Sequence, residues 1–248
     1  MSPLELVLLA LVGFLTAGLS SIIAVGGGTI LIAVLLLFMP PAVAIPFHGA
    51  VQIFSNGWRV FLFRGHVHWR LVARFAVLMP LGVVVGLWFF RGLSKEAIQL
   101  MIGLFMLSTL GLRRLKGLRG RETPLWGFYG LGFGSGILNI MVGVVAPVMA
   151  VLTVRRELNK EATIATLGMF ALMGHVLKVA AFGWIGFRVG PNAAALAVLI
   201  PAVMLGGYAG KTLLGRFSER FFLAVFHTAL LLLSVKLIFW DGLYPMLR

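Results

Sequence analysis

Long apolar runs, separated by short polar or basic segments, make up almost the whole chain. Eight of them reach the length of about 17 to 25 residues that a membrane-spanning helix needs. They lie at 4–24, 42–63, 71–90, 96–112, 125–142, 161–182, 192–214 and 220–240. Two shorter apolar runs, 29–39 and 144–154, each follow an interruption and cannot cross a full bilayer untilted. The pattern predicts an all-α polytopic membrane protein with eight long segments and two short ones.

The two halves of the chain have the same order of elements: a long helix, a break, a short helix and three more long helices. The segment VGFLTAG from Val12 matches YGLGFGS from Tyr129 at its small residues, and the same spacing sets Gly26 opposite Gly143. A basic linker, 113–122, joins the halves. We therefore predict two inverted repeats, 1–116 and 117–248, each with four long helices and one short broken or re-entrant helix.

The charge distribution favours one topology. The chain has 248 residues, of which 60% are hydrophobic, and a formal charge of +14. This composition excludes a soluble globular domain, and basic residues of membrane proteins collect in cytoplasmic loops, so we expect no nucleic-acid partner. If both short segments return across the membrane, fourteen basic residues lie on one side and four on the other; otherwise the division is ten to eight. The stronger bias predicts that both termini are periplasmic.

A glycine triplet precedes the first short segment. Gly26, Gly27 and Gly28 allow the backbone to leave helical geometry, and Thr29 can restart a helix whose first amide groups attract anions. A broken helix is tolerated at membrane depth only where it is buried in protein or lines a cavity. The break therefore predicts a binding site, with close helix packing through small residues as the alternative. The second break, SGILNIMVGVVAPV, keeps Asn139 and Gly143 but lacks the triplet.

Polar residues form a stripe on the 42–63 run. His48, Gln52, Asn56 and Arg59 share one helical face because they are spaced by four, four and three residues. Polar groups at membrane depth usually face a cavity or each other, so the stripe predicts a route for a polar solute. The alternative is that Arg59 extends to the cytoplasmic edge and that His48 is an interhelical donor.

The second half contains partial counterparts to this stripe, and Lys178 falls within one residue of the position opposite Arg59. They are Thr163, Thr166, His175 and Lys178. Lys178 either supplies charge to the site or extends to the membrane surface. All seven acidic residues lie at segment ends or in loops. Because a cation site would normally need an acid inside the membrane, we expect an anionic solute, with His48 or His175 as the groups for any proton coupling.

The residues below form the predicted substrate-binding site, with no catalytic, metal or cofactor site expected. They are Ser21, Gly26, Gly27, Gly28, Thr29, His48, Gln52, Asn56, Arg59, Asn139, Gly143, Thr166, His175 and Lys178. Backbone amides at Thr29 and around Ala146 would add to them. An intramembrane hydrolase using Ser20, Ser21 or Ser55 is the alternative from another class, although none of these serines lies in a recognisable nucleophile motif.

Three segments carry a resemblance to a known family: GLSSIIAVGGGTILIA, its degenerate copy GSGILNIMVGVVAPVMA, and the GHVHW turn from Gly65. Together they resemble the sulfite exporter TauE/SafE family, also called 4-toluenesulfonate uptake permeases, from about Leu6 to Trp240. The resemblance implies transport of sulfite or small organosulfur anions across the bacterial inner membrane without an ATPase domain. It also implies that Gly26 to Thr29 contact the anion, with Gly143 at the matching site.

We therefore expect a multi-pass secondary transporter of sulfite or a small organosulfonate, working by alternating access and not an enzyme. Its partners would be the anionic substrate and the lipid bilayer. A transporter of another small anion, such as a carboxylate, stays open as an alternative. A homodimer is left open as the oligomeric state.

Overall fold

The computed structural model describes residues 2–23, 27–112, 122–153, 155, 157–212 and 219–247, and these residues form helices without strands. Every predicted run has its helix. The helices are α1 (Pro3–Ile23), α2 (Gly27–Phe38), α3 (Pro41–Leu62), α4 (Trp69–Phe90), α5 (Lys95–Leu112), α6 (Gly127–Met141), α7 (Ala146–Leu152), α8 (Lys160–Trp184), α9 (Ala193–Thr212), α10 (Glu219–Val235) and α11 (Tyr244–Met246). A π-helix, Lys236–Leu243, joins the last two. Gly26 and the predicted boundary between 116 and 117 lie outside the described residues.

Five of the described helical segments are long and apolar enough to cross a membrane by length and composition. Exposed tryptophans lie near the helix ends, with Trp69 and Trp126 at one end of the molecule and Trp88, Trp184 and Trp240 towards the other. Tryptophan is enriched at both membrane interfaces. Trp69 and Trp88 are separated by about 28 Å along α4, given a rise of 1.5 Å per residue, which matches a hydrocarbon core about 30 Å thick. The chain is therefore a polytopic membrane protein.

Helices α1 and α9 approach each other closely and run parallel. A Cβ atom at Gly206 would overlap the backbone of Phe14, and one at Gly210 would overlap the backbone of Gly18. The contacting residue numbers increase together on both helices, which sets the parallel direction. Small residues allow such close backbone contact between membrane helices.

Helices α4 and α6 make the same kind of contact. A Cβ atom at Gly132 would overlap the backbone of Phe75, and one at Gly136 would overlap the backbone of Met79. This pair is also parallel. Between the two pairs, α3 and α8 cross in antiparallel directions, with Gly49 of α3 against Lys178 of α8.

The two short helices turn back towards the end from which the preceding helix came. The first turn of α2, with Gly28 and Thr29, lies beside a central cavity. Pro40, just after α2, lies at the end of the molecule where α9 begins. Because α1 packs parallel to α9, α1 begins at that end as well. In the same way, α7 returns towards the start of α6, since Thr123 Oγ1 donates to the Leu152 carbonyl. The lengths of α2 and α7 are about 18 Å and 10 Å at 1.5 Å per residue, so neither spans the hydrocarbon core.

The described basic loops meet at one end of the molecule. The Lys211 ammonium lies 5.1 Å from the ring centroid of Phe63, and the Arg155 guanidinium donates to the Thr123 carbonyl over 2.8 Å. Arg155 also donates to Glu157 over 2.7 Å, and this hydrogen bond lowers the pKa of the Glu157 carboxyl. His68 Nε2 lies 3.6 Å from the Glu157 carboxylate, so the described parts of the loops after α3, before α6, before α8 and at the end of α9 share one face.

Candidate functional site

A small polar cavity lies where both helix breaks meet the central helices. Its lining residues come from α1, α2, α3, α6, α7 with the turn before it, and α8: Ser20, Gly28, Thr29, Gln52, Asn56, Arg59, Asn139, Val144, Val145, Ala146, Ala171 and His175. The space open to the centre of a water molecule is about 30 Å³, enough for one or two waters. The breaks create this cavity because α2 and α7 start there instead of continuing the preceding helix.

Seven of the fourteen predicted site residues line this cavity: Gly28, Thr29, Gln52, Asn56, Arg59, Asn139 and His175. The stripe on α3 is buried along its length, as its spacing predicts. Asn56 Nδ2 donates to the Gln52 carbonyl one turn earlier over 3.0 Å, which fixes the amide against its own helix. The stripe therefore forms one wall of the cavity.

Arg59 brings a positive charge to this wall. The residue is 7% exposed, and its side chain makes no hydrogen bond or ion pair with another described residue. Gly168 of α8 packs against it, and a Cβ atom there would make an ordinary contact, 3.6 Å from Arg59 Cδ. A buried cation without a carboxylate partner is costly, so this position calls for a compensating anion or water.

Several other polar atoms at the cavity also lack hydrogen-bond partners among the described residues. They are Thr29 Oγ1, Asn139 Oδ1 and His175 Nδ1, in addition to Arg59 Nε. Buried polar atoms are normally satisfied, and few exceptions are expected in a whole domain. Their concentration around one cavity indicates a site for a polar ligand or for ordered water.

Lys178 and His48 lie just behind the cavity wall. Lys178 is fully buried, and its ammonium donates to the Gly143 carbonyl over 2.8 Å and lies 3.4 Å from His48 Nδ1. Gly143 has φ +85°, a left-handed conformation that glycine adopts without strain. The ring of His48 contacts the ring of His175 edge-on, with 5.4 Å between centroids. These residues connect α3, α8 and the second break.

Three predicted site residues have other surroundings. Gly27 packs on α1, where a Cβ atom would overlap the Thr16 carbonyl. Ser21 donates to the Ala17 carbonyl over 3.2 Å, and its neighbour Ser20 lines the cavity instead. Thr166 accepts a hydrogen bond from the His68 amide over 3.0 Å.

Ser20 is the one polar lining residue that the predicted site omits. It falls on the cavity face of α1, and the position of Gly27 against Ser20 sets that face. The first 22 residues carry no periodic polar stripe that would have distinguished Ser20 from Ser21.

A basic vestibule opens at the end of the molecule opposite the basic loops. Two pockets of about 500 and 320 Å³ share Ala42, Phe90 and Ile185, and they are therefore adjacent. Arg188 lines the larger pocket, and Arg91 and Lys95 line the smaller one. No carboxylate lines either pocket, so the vestibule would attract anions.

Comparison with curated proteins and with solved structures gives no match. Comparison with protein families gives one, because the model of the family "Sulfite exporter TauE/SafE" matches residues 9–237 of the 248. The matched segment includes the first break, the polar stripe, the second break and Lys178. Over nearly its whole length, therefore, the chain belongs to the sulfite exporter TauE/SafE family of membrane transporters.

Proposed function

We propose that the protein is a secondary transporter that carries sulfite or a small organosulfonate through the central cavity by alternating access. The observation that carries this proposal is the buried, unpaired Arg59 in a cavity lined by other unsatisfied polar atoms. Membership of a family of transporters agrees with it and disfavours the intramembrane hydrolase.

The chemistry of the lining suits an oxyanion. Arginine presents a planar set of N–H donors that matches two oxygens of one anion, and Thr29 adds a hydroxyl donor. The amides of Gln52 and Asn139 supply further N–H groups. Sulfite and sulfonates carry three oxygens on one sulfur, so several donors can act on one ligand. None of the cavity residues is acidic.

The burial of the cavity supports alternating access. Two fully buried side chains, His48 and Lys178, lie between the cavity and the vestibule, so the helices that carry them must separate before an anion can pass. The basic vestibule gives the anion a route to one side of the cavity.

Helix packing supports two inverted repeats. If residues 1–116 and 117–248 are equivalent, α1 corresponds to α6 and α4 corresponds to α9, and the close α1–α9 contact then corresponds to the close α4–α6 contact. The α3–α8 contact corresponds to itself. The α1–α2 hairpin opens towards the vestibule end and the α6–α7 hairpin opens towards the opposite end, as inverted orientation requires.

We further propose that the chain lies in the bacterial inner membrane with both termini in the periplasm. The described basic loops share one face of the molecule, and this face would be cytoplasmic by the positive-inside rule. The vestibule would then open to the periplasm.

Uptake into proteoliposomes tests the proposed function. Labelled sulfite is supplied outside liposomes that contain the purified protein, with sulfonates, carboxylates and sulfate as competitors. We expect saturable uptake that sulfonates suppress. Uptake of a carboxylate in preference to sulfite would assign another substrate class, and no uptake of any anion would contradict transport through the cavity.

A further inference from the structure

The contacts of Lys178 are unusual for a membrane-buried lysine. The side chain is fully buried but does not line the central cavity, and its ammonium is held by one backbone carbonyl, that of Gly143, and by His48 Nδ1. A lysine that only extended to the membrane surface would keep its ammonium in water. Polar groups with such burial usually act in transport pathways or proton relays.

The Lys178–His48 pair lies between the cavity and the vestibule. On α3, His48 falls between Val43, which lines the vestibule, and Gln52, which lines the cavity. On α8, Lys178 falls between His175 at the cavity and Phe182 at the vestibule. A solute that travels from the vestibule to the cavity must therefore pass this level of the protein.

The charges around the pair are all basic or neutral. The titratable groups near the pair are His175 of α8 and Arg59 of α3. The described residues of α4, α6 and α7 contribute no titratable group there. No described carboxylate neutralises the pair. Two positive charges 3.4 Å apart without a counter-ion repel strongly, so Lys178 and His48 do not both carry charge.

We propose that Lys178 and His48 form a proton-binding site, separate from the anion cavity, whose proton is co-transported with the anion. This inference rests on the proposed function. A proton on the pair places a positive charge close to the cavity, which favours the anion, and ring contact between His48 and His175 links the two sites. Protonation of Lys178 also strengthens its hydrogen bond to the Gly143 carbonyl, since a charged donor bonds more strongly than a neutral amine. Loss of the proton loosens the second break.

The test uses a sulfonate such as methanesulfonate as the transported probe. A sulfonate keeps one negative charge across the neutral pH range, whereas sulfite itself gains and loses a proton there. Uptake of labelled methanesulfonate into proteoliposomes is measured with and without an inward proton gradient, together with the internal pH from a trapped dye. The variants are Lys178→Met, which keeps length and removes the titratable group, and His48→Gln. Lys160→Met, at the exposed start of the same helix, is the matched control.

In the wild type we expect the gradient to accelerate uptake at least fivefold and methanesulfonate to carry protons inward. Lys178→Met should lose the acceleration and the proton movement, and Lys160→Met should keep both. If Lys178→Met transports more slowly but responds to the gradient as the wild type does, the inference is overturned. Lys178 would then have only a structural role, as the hydrogen-bond donor to Gly143. If Lys178→Met does not fold, the wild-type dye measurement decides, because sulfonate uptake without proton movement also overturns it. Absence of any sulfonate or sulfite uptake would instead reject the proposed function.

Discussion

Replacing Arg59 by glutamine removes the only charged side chain among the described residues that line the cavity. Glutamine keeps a hydrogen-bonding group of related shape, so the cavity wall is retained while the charge is lost. We expect the variant to bind sulfite and sulfonates much more weakly than the wild type does.

The magnitude follows from the burial of the guanidinium. Two unit charges about 4 Å apart attract each other by about 4 kcal/mol at an effective dielectric constant of 20. Part of that attraction is offset because the variant no longer buries an unpaired cation. A net loss of about 2 to 4 kcal/mol corresponds to a dissociation constant raised about 30-fold to 1,000-fold. Arg59→Lys keeps the charge but loses the planar donor set, and a loss of about tenfold is expected.

The assay is equilibrium binding of labelled sulfite to purified protein, with gel filtration as the check on folding. Arg64→Gln is the matched control, since Arg64 is exposed just beyond the end of α3 and its guanidinium lies 4.9 Å from the ring centroid of Phe61. The control should bind as the wild type does. If Arg59→Gln stays folded and binds sulfite within threefold of the wild type, the cavity is not the anion site and the reasoning fails.

Three further outcomes are expected. Gly28→Ala adds a Cβ atom that overlaps the Gln52 amide at the cavity, so uptake should fall at least tenfold, whereas Gly57→Ala, whose Cβ atom meets only ordinary contacts, should keep it. Arg188→Gln should raise the KM for anion uptake from the vestibule side severalfold at low ionic strength, and the difference should shrink with salt, as it does for electrostatic steering. Gly82→Ala forces α4 away from α6 and should lower the midpoint of thermal unfolding in detergent by several degrees, unlike Gly130→Ala, which points into open space. An unchanged unfolding midpoint for Gly82→Ala would contradict the close contact between α4 and α6.

The helices could be predicted from the sequence because an apolar run at membrane depth has one stable local structure. Lipid offers no hydrogen bonds to the backbone, so each run must satisfy its own amide and carbonyl groups as a helix. The predicted runs and the described helices accordingly differ by only a few residues at most ends. The π-helix at Lys236–Leu243 has no comparable signal, since it depends on how the chain packs on α5.

The candidate site could be predicted only in part. The stripe on α3 follows from helical periodicity, and the structure brings its four members to the inside of the molecule. Lys178 and Arg59 occupy nearly equivalent positions in the predicted repeats, but repeat position does not predict what each side chain contacts. Arg59 lines the cavity, whereas Lys178 donates to the Gly143 carbonyl. Thr166 satisfies the amide of His68, 98 positions away, which only the folded chain brings near. Contacts of this range have no local signature in a single sequence.

The glycine contacts of α1 with α9 and of α4 with α6 determine which bodies can move. Each contact joins one helix from the first half of the chain to one from the second, at distances where any separation loses close van der Waals contact between the two backbones. A motion that opens the cavity while keeping both contacts carries α1 together with α9, and α4 together with α6. In alternating access the moving units would then be composite, each assembled from both halves, with the crossing of α3 and α8 as the hinge between them.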